Sequence, residues 1–325
     1  MSTEQRPKIF VARTLLGDAL ERLEQVADVF VWPEPRPPSP AEFLEHASAV
    51  DAIVTMVTDR VDEAVLEACP SLRVIANVAV GIDNFDVPAL TRHKVPAGNT
   101  PGVLTNATAD MTFALLLASA RRVVEGRDAV LAGEWTVWDP ALMLGLELTD
   151  STLGIVGMGR IGQAVAKRAL AFSMRVIATS RTERPVEGVT YVEFETLLRE
   201  SDVVSLHVAL SEATRHLISA RELAAMKPSA ILINTARGAV IDQAALAAAL
   251  SNGTIGGAGL DVFEREPLEL DDPILAAPNC IVVPHIAAST YATRNAMGHL
   301  AADNIIAGLS GERLPNCVNP EVYES

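Results

Sequence analysis

Two groups of residues in this sequence have types and spacing that could do chemistry. The first is Gly157-Met158-Gly159-Arg160-Ile161-Gly162, which follows the β-branched run Thr152–Val156 directly and opens the helical segment Arg160–Ala171. Glycines at this spacing permit a tight turn, close backbone approach to a pyrophosphate and close packing of helix on strand. The first N–H groups of the helix, with their partial positive charge, then face the phosphates. The second group is Arg237, Glu266 and His285, in the segments Ile233–Gly238, Asp261–Pro267 and Val282–Ile286. Each stands at or just past the end of an expected strand, where open α/β sheets place their ligands. Histidine suits proton transfer near neutral pH. A neighbouring carboxylate would orient it and favour its charged form, and arginine offers a fixed cationic fork to a planar anion. Glu264 competes with Glu266 for the carboxylate role, while His46, His93, His207, His216 and His299 have no comparable context.

The strand expected at Arg175–Thr179 bears on which dinucleotide is bound. Units that take NAD place an Asp or Glu about 20 residues beyond the first glycine, for the ribose 2′-hydroxyl. Here the chain reads Ser180-Arg181-Thr182, with Glu183 as the alternative acid. Arginine and hydroxyl donors suit a 2′-phosphate, which a carboxylate would repel. NADP(H) is therefore expected in preference to NAD(H).

Positioning these groups requires a parallel sheet, and the sequence alternates short β-branched runs with Ala/Leu-rich helical segments, the pattern of such sheets. Strands are expected at Lys8–Ala12, Val29–Trp32, Ala52–Met56 and Val74–Val78, with helices near Leu15–Glu24, Ala41–His46 and Glu63–Cys69. A second series comprises Thr152–Val156, Arg175–Thr179, Val203–His207, Ala230–Asn234, Gly257–Val262 and Cys280–Val283, followed by a last helix Ala292–Leu309. Between the two series, Asn106–Trp135 reads as one long helix, apolar on more than one face, which implies burial in a core or at a subunit interface. Trp32–Pro40 reads as a Pro-rich surface loop.

The 325 residues are enough for two domains, and 49% hydrophobic with 21% charged residues is a globular balance that excludes disorder. A net charge of −15 argues against nucleic acid and anionic membranes as partners, though not against a small anion held by a few local cations. Cys69, Cys280 and Cys317 are odd in number and widely spaced, so neither a disulfide framework nor a metal site is expected. The first ten residues lack the apolar core of a secretory signal. The most apolar stretch, Phe113–Ala120, is far too short to cross a bilayer, and a cytoplasmic location is expected.

Taken together, the motifs resemble the D-isomer-specific 2-hydroxyacid dehydrogenase family over essentially the whole chain. The resemblance is carried by Asn77–Asp86, Asn99–Thr105, the glycine motif and the three segments around Arg237, Glu266 and His285, in the family's order. Gly133–Thr136, Ser180–Thr182 and Asn316–Pro320 resemble its glyoxylate/hydroxypyruvate reductase branch, which includes 2-ketogluconate reductases. The resemblance implies two doubly wound parallel-sheet domains, a Rossmann cofactor domain at 102–289 inserted into a flavodoxin-like substrate domain made of 1–101 and 290–325. It implies reduction of a small anionic 2-keto acid, with His285 as proton donor, Glu266 as its partner and Arg237 on the substrate. It places backbone N–H groups of Val80 and Gly81 on the substrate carboxylate, and Thr105, Thr235 and Asp261 at the nicotinamide end. Met56 and Trp138 are expected to shape the substrate pocket, Trp138 by reaching a neighbouring subunit or by packing in the interface of a homodimer.

The Glu before Pro267 favours Glu266 over Glu264, because the family's glutamate precedes a proline. Two departures stand out. Ile286-Ala287-Ala288-Ser289-Thr290 replaces the family's usual Ile-Gly-Ser-Ala-Thr, which puts a serine contact to substrate or cofactor in doubt, and Val208-Ala209-Leu210 lacks the usual proline. Phosphoglycerate dehydrogenase and a dinucleotide-sensing binding protein on the same fold are the alternatives. Formate dehydrogenases would be expected to carry glutamine where Glu266 stands.

Overall fold

The computed structural model describes residues 6–324. The chain divides into two compact units, Met1–Leu104 with Ser289–Ser325, and Thr105–Ala288. The expected boundaries at 101/102 and 289/290 differ from these by three residues and by one. Residues 1–5 and 325, assigned to the first unit from the sequence, lie outside the described residues.

The first unit begins with strands β1 (Lys8–Val11), β2 (Asp28–Val31), β3 (Ala52–Thr55), β4 (Val74–Asn77) and β5 (Ala97–Gly98), all parallel, in the order β2-β1-β3-β4-β5. Helices α1 (Ala19–Val26), α2 (Pro40–Ala47), α3 (Glu63–Ala68) and α4 (Val87–Arg92) connect them. β3 and β4 are buried at every position, as expected of inner strands covered on both faces. Phe10, Phe43, Ile53, Leu66, Ile75 and Leu90 form the core on one side.

In the second unit β6 (Thr152–Val156), β7 (Arg175–Thr179), β8 (Val189–Tyr191), β9 (Val203–Leu206), β10 (Ile231–Asn234), β11 (Gly257–Leu260) and β12 (Cys280–Val282) form a parallel sheet ordered β12-β11-β10-β9-β6-β7-β8. Helices α5 (Thr105–Ala120), α6 (Val123–Leu131), α7 (Arg160–Ala171), α8 (Phe194–Glu200), α9 (Ala220–Ala225) and α10 (Gln243–Ser251) belong to it. Its strands alternate between two cores. Leu232 packs with Leu197, Leu223 and Leu246, whereas Ile231 and Ile233 pack with Leu116, Val165 and Ala169. That is the period-two rule of a sheet covered on both faces. The chain then returns to the first unit through α11 (Tyr291–Leu309), which lies against β4 closely enough that a Cβ on Gly308 would come 2.5 Å from the Val74 side chain.

The long helix expected over Asn106–Trp135 is two helices. Leu146 N–H takes the Ala120 carbonyl at 2.8 Å, ending α5, and Arg122 turns left-handed at φ 53°. Gly145 permits this approach, since its Cβ would sit 2.1 Å from the Ala120 oxygen. The apolar-all-round character belongs to α5 alone, with eight buried residues, whereas α6 buries none.

Candidate active site

The glycine motif occupies the turn from β6 into α7. Gly157 has φ +101°, and a Cβ there would meet the His207 carbonyl oxygen at 2.7 Å, so this residue must be glycine. Gly159 is the N-cap of α7, makes no side-chain cap bond, and has nothing within 4 Å of where its Cβ would lie. Arg160 and Ile161 begin the helix behind it, and Gly162 packs its α-carbon close to the Gly157 carbonyl. An open, uncapped first turn beside bare backbone is a cradle that fits a pyrophosphate. At the end of β7, Ser180 is half-buried, and Arg181, Thr182 and Glu183 are exposed.

β10, β11 and β12 end on the same edge of this sheet and deliver the polar residues. Asn234, fully buried at the end of β10, donates from Nδ2 to the Arg237 carbonyl at 2.9 Å and accepts from Ala236 N–H at 3.0 Å. It staples the turn that carries Thr235 and Arg237. Thr112 on α5 donates to the Thr108 carbonyl and lies 2.9 Å from the Thr235 hydroxyl, which makes Thr235 the donor between them and leaves its lone pairs unused by that bond. A Cβ on Gly238 would lie 1.8 Å from the Phe263 carbonyl carbon, so the Arg237 turn is pressed against the segment leading to Glu266.

Glu266 and His285 are directly bonded. Glu266 Oε2 lies 2.7 Å from His285 Nδ1, and Oε1 accepts from Phe263 N–H at 3.0 Å. Burial alone would raise the Glu266 pKa. The His285 bond and charge, the Phe263 N–H and the Arg237 charge outweigh burial and hold it below the usual carboxylate range. Glu264 is turned elsewhere, 2.8 Å from His216 Nε2. With Nδ1 committed to Glu266, Nε2 is the ring nitrogen that remains for a substrate.

His285 itself is left-handed at φ 53°, a conformation that costs an ordinary residue about 1–2 kcal/mol. The buried Asp261 clamps the next two residues, accepting from Ile286 N–H at 2.6 Å and Ala287 N–H at 2.9 Å. Asp261 would otherwise be a buried carboxylate without partners, and these bonds account for it. Burial still raises its pKa above the ordinary range. Next to the glycine turn, His207 sits 2.8 Å from Ser205 Oγ, and desolvation pushes its pKa down to about 3.

In the first unit the segment after β4 has a distinctive arrangement. The Ala79 carbonyl accepts from Thr100 N–H at 2.9 Å, the Val80 carbonyl from Asn99 Nδ2 at 2.8 Å and the Gly81 carbonyl from Asn77 Nδ2 at 2.9 Å. Among the described residues, no acceptor is bonded to the N–H of Val80 or of Gly81. Both N–H groups are therefore available to an acceptor from outside the chain. Met56, at the end of β3, is tied to the same network. Its carbonyl accepts from Asn84 Nδ2 at 3.1 Å and its N–H donates to the buried Asp59 at 2.8 Å.

Thr105, Thr235, Arg237, Asp261, Glu266 and His285 thus belong to the second unit, and Val80, Gly81 and Met56 to the first. Trp138 is not joined to either group and is 78% exposed, among the apolar residues that follow α6. The stapling residues Asn77, Asn84, Asn99, Thr112 and Asn234 were not singled out from the sequence. Their signal is a lone amide or hydroxyl inside or just after an apolar run, as in Val74-Ile75-Ala76-Asn77. Ser289, the shifted serine, accepts from Arg294 Nη2 at 3.0 Å. Among the described residues, no three His, Cys, Asp or Glu side chains are grouped to hold a metal ion, and no helix is long and apolar enough to cross a membrane.

Known proteins show the same organisation. Residues 113–287 match the family model of the D-isomer specific 2-hydroxyacid dehydrogenase NAD binding domain. The chain is 48% identical over 328 aligned positions to the glyoxylate reductase of Thermococcus litoralis, covering 98% of this chain and 99% of that protein. The crystal structure of a Thermus thermophilus protein, 47% identical, superposes with a TM-score of 0.91 over 96% of this chain and 99% of its own. The NADPH-dependent glyoxylate/hydroxypyruvate reductase of Sinorhizobium meliloti, solved with NADP and malonate, is 33% identical with a TM-score of 0.85, covering 97% and 98% of the two chains. From the family match and this near-complete coverage, the chain belongs to the D-isomer-specific 2-hydroxyacid dehydrogenases, a family of oxidoreductases, in the branch of the glyoxylate reductases.

Proposed function

We propose that the protein reduces small 2-keto acids, glyoxylate and hydroxypyruvate foremost and 2-ketogluconate as a larger member of the class, to the corresponding 2-hydroxy acids with NADPH, of D configuration where the new carbinol carbon is chiral. The observation that carries this is the 2.7 Å contact between His285 Nδ1 and Glu266 Oε2, beside the charge of Arg237. When bound, the dinucleotide supplies the hydride to the keto carbon. His285 donates the proton from Nε2 to the oxygen that gains charge, and Glu266 holds the ring and stabilises its charged form. Arg237 binds the substrate carboxylate and keto oxygen and offsets negative charge as it develops. The N–H groups of Val80 and Gly81 take the carboxylate, and Met56 and Trp138 shape the surroundings.

The second unit holds the dinucleotide, with its pyrophosphate at Gly157, Gly159, Arg160, Ile161 and Gly162 and its nicotinamide end near Thr105, Thr235 and Asp261. Preference for NADP(H) is supported by the half-buried Ser180 beside the exposed Arg181 and Thr182, and by the NADP bound in the Sinorhizobium relative. A homodimer is supported by the exposed apolar side chains of α6 and the residues after it. Three unbridged cysteines are consistent with the reducing cytoplasm.

A kcat/KM panel of 2-keto acids with NADPH and NADH tests the proposal. Turnover of glyoxylate or hydroxypyruvate, faster with NADPH, is expected. Dinucleotide binding without turnover of any 2-keto acid would overturn the activity, and equal or better rates with NADH would overturn the cofactor preference.

A further inference from the structure

We propose that Asn99 is a positioning residue whose side-chain amide aims the N–H of Gly81 at the substrate carboxylate, a role that rests on the carboxylate assignment made above. In a trans peptide the C=O and N–H point in opposite directions, and the only cis peptide among the described residues is Glu266–Pro267. Whatever fixes the Val80 carbonyl therefore fixes the Gly81 N–H. That carbonyl is held by Asn99 Nδ2 at 2.8 Å, just as the Ala79 carbonyl, held by Thr100 N–H, fixes the N–H of Val80. Asn99 is the side-chain member of this pair, and therefore the one that can be altered without touching the backbone.

Asn99 is itself rigidly mounted. Its N–H donates to the Asn316 carbonyl at 3.2 Å, and its carbonyl accepts from Asn304 Nδ2 at 3.1 Å. Asn304 is fully buried on α11, and its Oδ1 accepts from Asn316 N–H at 3.0 Å. Gly98 lets Asn304 approach, because a Cβ there would come 2.5 Å from the Asn304 side chain. A polar chain therefore runs from α11 through Asn99 to the Val80 carbonyl, all within one unit. Fixed donors bind an anion better than mobile ones, since little reorganisation is left to oppose binding. Asn99 is only half-buried, so replacing it leaves the core intact.

The test uses the full-length enzyme with saturating NADPH and two substrates, glyoxylate and its neutral methyl ester. Wild type should favour the carboxylate form strongly. Asn99→Ala should raise KM for glyoxylate by about tenfold, the scale of one hydrogen bond serving a charged group. Its KM values for the ester and for NADPH should stay within about twofold of wild type, as should kcat for glyoxylate. Asn99→Leu keeps the bulk, adds no charge and loses the donor, so it should raise the glyoxylate KM as far as Asn99→Ala, whereas a packing role alone predicts a near-normal value. An unchanged glyoxylate KM in Asn99→Ala, or an equal rise for ester and acid, overturns the positioning role while leaving the carboxylate assignment standing. A wild-type enzyme indifferent to the charge overturns that assignment, and the role of Asn99 with it.

Discussion

His285 has one ring nitrogen committed to Glu266 and a backbone held left-handed by the segment that Asp261 clamps. Removing the imidazole takes away the Nε2 proton donor that Glu266 orients through Nδ1. His285→Ala should lower kcat by about 10²-fold or more, the usual scale for general acid–base catalysis, with KM for NADPH little changed. The two candidate glutamates separate in the same assay. Glu266→Gln should lower kcat, because the imidazole loses the charge that stabilises its protonated form. Glu264→Gln should leave kcat near wild type, since Glu264 faces His216. A reversal of these two results would remove Glu266 from the mechanism. At this scale the sequence pointed to Arg237, Glu266 and His285, which the fold brings together, because each stands at or just past a strand end. It marked poorly the amides that hold them. Asn77 and Asn234 close their own turns onto carbonyls four and three residues ahead, which a lone amide in the sequence does not announce, and Asn99 reaches a carbonyl 19 residues back, which nothing local marks.

Among the elements, the turn after β10 depends on a contact that no side chain makes. Gly238 lies against the Phe263–Glu264 main chain, and Gly238→Ala would have to push Arg237 and the Glu266 segment apart. Loss of about 1–3 kcal/mol of stability is expected from such overpacking, with a fall in kcat/KM larger than the stability loss explains. Denaturant unfolding and steady-state rates on one preparation measure both. The end of β9 sets a pH limit of its own. The unfolded chain protonates His207 near pH 6.5, while the folded chain resists until about 3. Its contribution to stability is therefore complete above pH 6.5 and lost as pH falls from there toward 3. Wild type should lose about 1–2 kcal/mol more than His207→Gln between pH 7 and pH 5, read from urea midpoints.

The elements themselves were unevenly legible. β6 and β7 have the ends expected of them, because buried parallel strands are written as unbroken apolar runs. β5 and β8, two and three residues long, leave too short a pattern to read. The break between α5 and α6 is imposed by Leu146, twenty-six residues beyond Ala120, and no local propensity announces it.

For the whole molecule, the exposed apolar residues Val123, Val130, Leu131, Trp135, Val137 and Trp138 lie within sixteen consecutive positions of an otherwise acidic chain. If a second copy covers them, Leu131→Asp combined with Trp138→Asp should convert the dimer to monomer in sedimentation velocity without unfolding it. A wild-type protein that sediments as a monomer at micromolar concentration would exclude the homodimer.

The interruption of the first unit by the second has a consequence for biosynthesis. The sheet β2-β1-β3-β4-β5 leaves the ribosome early, yet α11, which lies against β3 and β4, is translated only after the whole of Thr105–Ala288. The nascent chain must therefore carry an uncovered apolar sheet face through the synthesis of 184 residues. At about 5–20 residues per second that is on the order of ten to forty seconds, a window in which the intervening unit can fold first and chaperones have reason to bind the other.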